Sequence, residues 1–176
     1  MALVVVNYPT VSRDDYDWMQ SIRAEHDELY YGVADPHFTF VFPVFGFDRE
    51  PFLEHVRERA RGVEEIPFAC RCATVVKDAT NEYTHVFLVP DEGHSGIVKL
   101  HDRLYGGPLS PHLRLDIPFI PHVAVANSTD ATACKRLADG LNREGFEVEG
   151  SVDALDAASY EHNRVTTIER VPLGGP

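Results

Sequence analysis

Residues 36–43 read Pro-His-Phe-Thr-Phe-Val-Phe-Pro, a short apolar run that carries one histidine and one threonine. Side chains alternate between the two faces of a β-strand, so the three phenylalanines are predicted to share one face, and His37, Thr39 and Val41 the other. Three phenylalanines in register indicate the core side. The opposite face then carries an imidazole and a hydroxyl about 7 Å apart. This pairing is typical of a binding or catalytic site.

Residues 121–126, Pro-His-Val-Ala-Val-Ala, repeat the same start. Alternation predicts that His122, Ala124 and Ala126 share a face while the two valines pack behind them. The small alanines leave room in front of the imidazole. Two such strands, one in each half of the chain, would let two imidazoles converge on one bound group.

Phosphodiester cleavage gives a reason for two histidines. It needs a base to activate the attacking oxygen and an acid to protonate the departing one, and histidine performs either role near neutral pH. The chain lacks an H-E-x-x-H pair, a Cys-x-x-Cys pair and a dense Asp/His cluster, so we expect neither a metal nor a cofactor. Spacing alone leaves a shared site and two unrelated structural histidines equally open.

Hydrophobic periodicity predicts an alternation of strands and helices that recurs in the second half of the chain. The strands are expected near 3–7, 36–43, 68–76, 83–89, 121–126, 146–149, 154–159 and 165–171, and the helices near 13–30, 50–61, 95–105 and 130–144. Ser12 is the expected N-cap of the first helix. The inward stripe of that helix is predicted to be Tyr16, Met19, Ile22, Arg23, His26 and Leu29.

Several neighbouring strands are joined too tightly for a helical crossover, which favours antiparallel sheets. We therefore predict an α+β fold. It has two pseudo-symmetric lobes whose antiparallel sheets line a central cleft, with helices packed outside. Residues 1–176 are expected to form this single two-lobed domain.

Charge and composition narrow the range of possible substrates and partners. The chain has 16 basic and 28 acidic residues, a net charge of −12, and no run of clustered Lys and Arg. Binding of long nucleic acid needs such clusters, so we expect a small nucleotide or a short RNA end as substrate instead.

No apolar stretch is long enough for a membrane span. The odd number of cysteines, 3, indicates reduced thiols and a cytoplasmic protein. We expect a monomer.

The two histidine strands resemble the paired His-x-Thr/Ser motifs of the two-histidine phosphoesterase superfamily, specifically its 2′-5′ RNA ligase-like group. Residues 37–43 are similar to the first motif and residues 116–125 to the second, and the element order agrees over nearly the whole chain. The resemblance implies a hydrolase in RNA processing that opens a 2′,3′-cyclic phosphate or cleaves a 2′-5′ linkage. It implies His37 and His122 as the catalytic pair and Thr39 as a phosphate-holding hydroxyl.

The second motif departs from the family in one position, because Ala124 stands where Thr or Ser is usual. A missing transition-state donor costs on the order of 3 kcal/mol. A non-catalytic nucleotide or phosphate binder on the same fold is therefore the main alternative, and a metal-dependent hydrolase is a third.

Three further residues are candidates outside the two motifs. Arg114 is a candidate to bind phosphate, with pairing to acidic neighbours equally open, and Tyr8 is a candidate to stack a nucleobase. His85 has no partner motif, and we expect it to face solvent.

Overall fold

The computed structural model describes residues 1–175, which form nine β-strands, four α-helices and one 3-10 helix. The strands are β1 (Ala2–Asn7), β2 (Thr10–Val11), β3 (Phe38–Phe45), β4 (Ile66–Lys77), β5 (Thr84–Glu92), β6 (Val123–Ser128), β7 (Val148–Val152), β8 (Ala154–Glu161) and β9 (Arg164–Pro172). The helices are α1 (Arg13–His26), α2 (Arg49–Ala60), α3 (His94–Leu104) and α4 (Ala131–Glu144), with the 3-10 helix at Gly107–His112. Pro176, the last residue of the expected domain span, lies outside the described residues.

The strands form two sheets, in the orders β3-β1-β8-β9 and β2-β7-β4-β5-β6. Every strand pairing is antiparallel. The predicted α+β class with two antiparallel sheets is confirmed. Each histidine strand is an edge strand: β3 closes one end of the first sheet, and β6 closes one end of the second.

The core forms where the histidine strands turn their apolar faces inward. Phe38 and Phe40 are fully buried, and the Phe38 ring meets Phe68 of β4 edge-on with 5.0 Å between centroids. Val123 and Val125 of β6 are buried as predicted. These contacts join the two sheets through one continuous apolar cluster.

The expected repeat is present in the order of elements, since β1–α1–β3–α2 is followed by β5–α3–β6–α4. In each repeat the two strands are adjacent in their sheet, β1 beside β3 and β5 beside β6. The two lobes do not each consist of one half of the chain, however. Helix α1 packs against β6 of the second sheet, and α3 packs against β3 of the first. The first helix of each repeat therefore contacts the other repeat's histidine strand, and α3 also packs against β4 and β5 of the second sheet.

These exchanged helices also cover the open edges of the two histidine strands. On β3, His101 Nδ1 donates to the Phe40 carbonyl at 2.8 Å, and the Tyr105 hydroxyl accepts from the Phe42 amide at 3.0 Å. On β6, Asp27 forms a parallel bridge to Asn127 just beyond α1. Part of the open edge of each histidine strand is thus paired within the molecule.

An irregularity in β3 changes the predicted faces. Val5 lies opposite Val41 while Val6 lies opposite Thr39, so one strand advances by two residues where its partner advances by one. Val41 becomes fully buried, and Phe42 is only half-buried. The expectation that all three phenylalanines face the core is wrong for Phe42.

A second irregularity lies between β5 and β6. Phe87 pairs with Ala124, but Val86 pairs with Ala126, so the extra residue Val125 turns the end of β6 over. Ala126 is buried on the side of α1 and α4 instead of sharing the face of His122. The predicted common face is therefore correct for Ala124 and wrong for Ala126.

The first helix starts as expected and stops early. Ser12 caps it by accepting a hydrogen bond from the Asp15 amide at 3.1 Å. It ends at His26 rather than near Tyr30, because the Asp27 carboxylate accepts the Tyr30 amide at 2.8 Å and turns the chain. Within residues 1–175, no helix combines the length and the apolar character needed to cross a membrane.

Candidate active site

His37 is held by its own chain immediately before β3. Its Nδ1 lies 2.7 Å from the carbonyl oxygen of Asp35, two residues earlier. A carbonyl oxygen only accepts, so Nδ1 carries the hydrogen and Nε2 is the nitrogen left for chemistry. Pro36 sits between the two residues and favours an extended conformation for Asp35.

His122 is held by the same device before β6. Its Nδ1 donates to the carbonyl oxygen of Ile120 at 2.5 Å, with Pro121 between them. The two imidazoles therefore have matching local geometry and the same tautomer. Positive charge on His37 also lowers the pKa of His122.

The surroundings favour the neutral form of both rings. Burial lowers the pKa of His122 to about 4, against the opposing effect of the Ile120 carbonyl. Burial also lowers the pKa of His37, and the Arg23 charge lowers it further, while the Asp35 carbonyl and nearby carboxylates act in the opposite direction. Each ring stays partly open to solvent.

The first sheet supplies Thr39 and Tyr8 beside His37. Thr39 is half-buried opposite Val6, on the strand face that also carries His37. The Tyr8 ring meets the His37 ring edge-on, with 5.9 Å between centroids. Burial, with Asp156 and Asp35 nearby, raises the pKa of Tyr8 to about 12, so its hydroxyl remains a hydrogen-bond donor. The structure thus brings three of the predicted residues together.

The second sheet supplies an aromatic column beside His122. Phe87 stacks on the His122 ring with 3.5 Å between centroids and 13° between planes, and Ala124 lies opposite Phe87 in the strand register. The rings of His85 and Phe87 also stack, with 5.6 Å between centroids, and those of Tyr30 and His85 stack with 6.3 Å between centroids. The apolar Phe87 ring explains much of the burial of His122.

The expectation that His85 faces solvent is wrong, because His85 is only 6% exposed. Its Nε2 donates to Asp78 at 2.9 Å. Burial raises the pKa of Asp78, but hydrogen bonds from Thr80 and His85 outweigh it and lower the pKa to about 2. The period-two spacing of His85 and Phe87 on one strand was the available signal for this column.

The hydrogen bonds of Arg114 go to an acidic neighbour and not to either histidine. Its guanidinium donates two hydrogen bonds to Asp116, at 2.8 and 2.5 Å, and the pair is exposed. The charges that shift the pKa values of His37 and His122 come from other residues. Of the two roles considered for Arg114, the structure contains the acidic pairing.

A separate surface cavity of about 480 Å³ lies on the outer side of β6, between α1 and α4. Its lining includes Glu28, Ser128 and Cys134, and neither histidine contributes to it. Among residues 1–175, no three His, Cys, Asp or Glu side chains group closely enough to hold a metal ion.

The fold is similar to that of several solved structures. Apo LigT from E. coli matches with a TM-score of 0.56 at 17% identity, covering 99% of this chain and 98% of LigT. The protein TT0787 of Thermus thermophilus matches with 0.63 at 15% identity, covering 99% of each chain. Usb1 from Kluyveromyces marxianus matches with 0.61 at 12% identity, covering 98% of each chain. At these identities the likeness concerns the fold.

Sequence comparison identifies the family. No curated protein matches the chain significantly. The sequence model of the 2′-5′ RNA ligase superfamily, however, matches residues 11–164, a span that includes both histidine strands. The chain therefore belongs to the 2′-5′ RNA ligase superfamily.

Proposed function

We propose that this protein is a metal-independent phosphodiesterase that acts on a small 2′,3′-cyclic or 2′-5′-linked phosphodiester of a nucleotide or RNA end. His37 and His122 are its acid and base. The observation that carries the proposal is the matching pair of imidazoles, each fixed through Nδ1 to the carbonyl two residues earlier. Both leave Nε2 available, and His37 is near enough for its charge to act on His122.

The proposed reaction follows from the different surroundings of the rings. His122, with a pKa of about 4, is neutral at neutral pH and serves as the base. Its Nε2 takes a proton from water as the water oxygen bonds to phosphorus, and the bond from phosphorus to the departing ribose oxygen breaks. His37, protonated beside the anionic substrate, gives its Nε2 proton to that oxygen. The Thr39 hydroxyl donates to a non-bridging oxygen as negative charge develops there.

A small substrate is supported by two considerations. A protein with a net charge of −12 repels a long polyanion, so the attraction for phosphate must be local. The structural neighbour LigT has been crystallised with 3′-AMP, NADP+ and ATP, all small nucleotides. We propose that this chain likewise takes a nucleotide or short RNA end, as a monomer.

The test is turnover of 2′,3′-cyclic nucleotides and a 2′-5′ dinucleotide, followed by chromatography of the products with and without EDTA. We expect EDTA-resistant cleavage that falls at least about a hundredfold in both His37→Ala and His122→Ala. His26→Ala is the matched control, because His26 is an exposed histidine on α1. Cleavage that survives in either active-site variant contradicts the proposal.

A second candidate function is favoured by Ala124, which lacks the hydroxyl that the family carries in the second motif. In this alternative the cleft binds a nucleotide without cleaving it. Calorimetric binding of a nucleoside monophosphate together with no turnover of any substrate above would support it. Turnover abolished by EDTA would instead support a metal-dependent hydrolase.

A further inference from the structure

Arg23 is a buried cation that the proposed chemistry does not use. Its side chain is 2% exposed, and it pairs through Nε with Asp27, also 2% exposed, at 3.0 Å. Burying an ion pair costs desolvation free energy, so such a pair is a weak source of stability. The same helix carries a pair of identical spacing, Arg13–Asp17 at 2.9 Å, on the exposed surface. The buried location of Arg23 therefore calls for a specific role.

The hydrogen bonds of Arg23 are nearly all committed to the chain itself. Nη1 donates to Gln20 at 2.9 Å, and Nη2 donates to the carbonyl oxygens of Tyr30 at 3.0 Å and Ala34 at 2.7 Å. With the Nε bond to Asp27, four of its five N–H groups are occupied. Arg23 is therefore unsuited to holding a substrate phosphate and instead fixes the segment of residues 27–34.

This segment leads directly to the first histidine. Ala34, held by Arg23, precedes Asp35, and the Asp35 carbonyl accepts the Nδ1 hydrogen of His37. Displacing the 34–35 peptide would release His37 from its fixed tautomer and orientation. Arg23 also acts on this ring through space, as does Asp27 with the opposite sign.

The same network reaches the strand of the second histidine. Asp27 Oδ1 accepts from the Asn127 side-chain amide at 2.5 Å, and Asn127 Oδ1 accepts from the Leu29 amide at 3.0 Å. Asn127 is 1% exposed and lies on β6, which His122 precedes. One contiguous set of buried and partly buried hydrogen bonds thus connects the segment before His37 to the strand that follows His122.

We infer that Arg23, Asp27 and Asn127 form a positioning network that sets the placement of the two imidazoles relative to each other. None of the three touches the reacting atoms. The inference rests on the proposed function for its catalytic meaning, but the placement of the rings is measurable without any activity. In this network a change at Arg23 alters the placement of both histidines, although only His37 belongs to the same repeat as Arg23.

The experiment compares Arg23→Met with the control Arg13→Met, which removes the exposed pair of the same spacing. NMR of ¹⁵N-labelled histidine side chains reports the tautomer and titration of His37 and His122, with assignments from the His37→Ala and His122→Ala variants. In Arg23→Met we expect both signals to change and the His37 pKa to rise, because the positive charge that lowers it is gone. In Arg13→Met both signals should match the native protein.

Kinetics add a second readout if the native protein turns over. Arg23→Met should lose about tenfold to a hundredfold in kcat with KM changed by less than about threefold, as expected when positioning rather than binding is lost. Asn127→Ala keeps the Arg23–Asp27 pair and should produce a smaller loss of the same kind. The loss in the double variant should be less than the product of the two single losses.

The outcomes separate the two proposals. If the histidine signals move in Arg23→Met and the native protein cleaves no substrate, the network is upheld and the phosphodiesterase proposal is overturned. Native turnover with unchanged signals of either histidine in a folded Arg23→Met overturns the network alone. If Arg23→Met does not fold, Asn127→Ala decides: unchanged signals at both histidines then overturn the inference.

Discussion

Thr39 and Ala124 stand two residues after the two histidines, but only Thr39 carries a hydroxyl. Replacing Thr39 with valine keeps the shape and removes the donor, so we expect kcat to fall on the order of a hundredfold. Ala124→Ser supplies the missing donor beside Phe87, and we expect kcat to rise by about tenfold. Steady-state turnover of a 2′,3′-cyclic nucleotide measures both changes.

The control for these substitutions is Thr129→Val, which removes an exposed hydroxyl just after β6 and should leave kcat unchanged. Equal turnover in native protein, Thr39→Val and Ala124→Ser would show that neither position contacts the phosphate.

The two histidines also predict the pH dependence. Burial lowers both pKa values below 6.5, that of His122 to about 4. The active form needs one neutral and one protonated imidazole, which is most populated between the two values. In the free protein kcat/KM should therefore peak below pH 6.5 and decline as the pH rises through neutrality.

Replacing Phe87, whose ring stacks on His122, tests whether burial causes the lowered pKa of His122. Phe87→Ala opens His122 to water, raises its pKa, and should move the acidic limb of the kcat/KM profile to higher pH. A native optimum above about pH 7, or an acidic limb that stays in place in Phe87→Ala, would contradict the assignment.

Among the elements, period-two alternation predicts the strand faces correctly until an extra residue interrupts it. His37, Thr39, His122 and Ala124 all precede an irregularity, and their faces could be predicted from sequence. Phe42 and Ala126 follow one, and their predicted faces are wrong. Such an insertion depends on how the neighbouring strand pairs, so it leaves no local signature in the residues that it moves.

The covered edge of β3 gives a prediction for stability. The Tyr105 hydroxyl accepts the Phe42 amide, and Tyr105 is only 4% exposed. Tyr105→Phe leaves that amide without its acceptor, so the free energy of unfolding should fall by about 1 to 2 kcal/mol. Urea denaturation should show a lower midpoint with an unchanged slope.

The control is Tyr31→Phe, since Tyr31 is 48% exposed and should have little effect on stability. An unchanged midpoint in Tyr105→Phe would mean that water replaces the hydroxyl at the β3 edge.

For the whole molecule, the repeated order of elements and the two-sheet architecture could be predicted from sequence. The exchange of helices between lobes could not, because it depends on contacts between distant segments. The helical stripe of α1 included Arg23, but the stripe does not show why a cation is buried there. Arg23 pairs with Asp27, and Asp27 is bound in turn by Asn127, which lies 100 positions beyond Asp27 in the chain. His26, on the same predicted stripe, is exposed.

The exchange of α1 and α3 limits how the molecule can move. Helix α1 belongs to the first repeat and packs on β6 of the second sheet, and α3 contacts β3 of the first sheet as well as β4 and β5 of the second. Separating the two sheets would therefore break packed helix–strand contacts. We therefore expect the distance between the two imidazoles to change little when a ligand binds. Under the proposed function, we therefore expect substrates to be selected by the preformed width of the cleft.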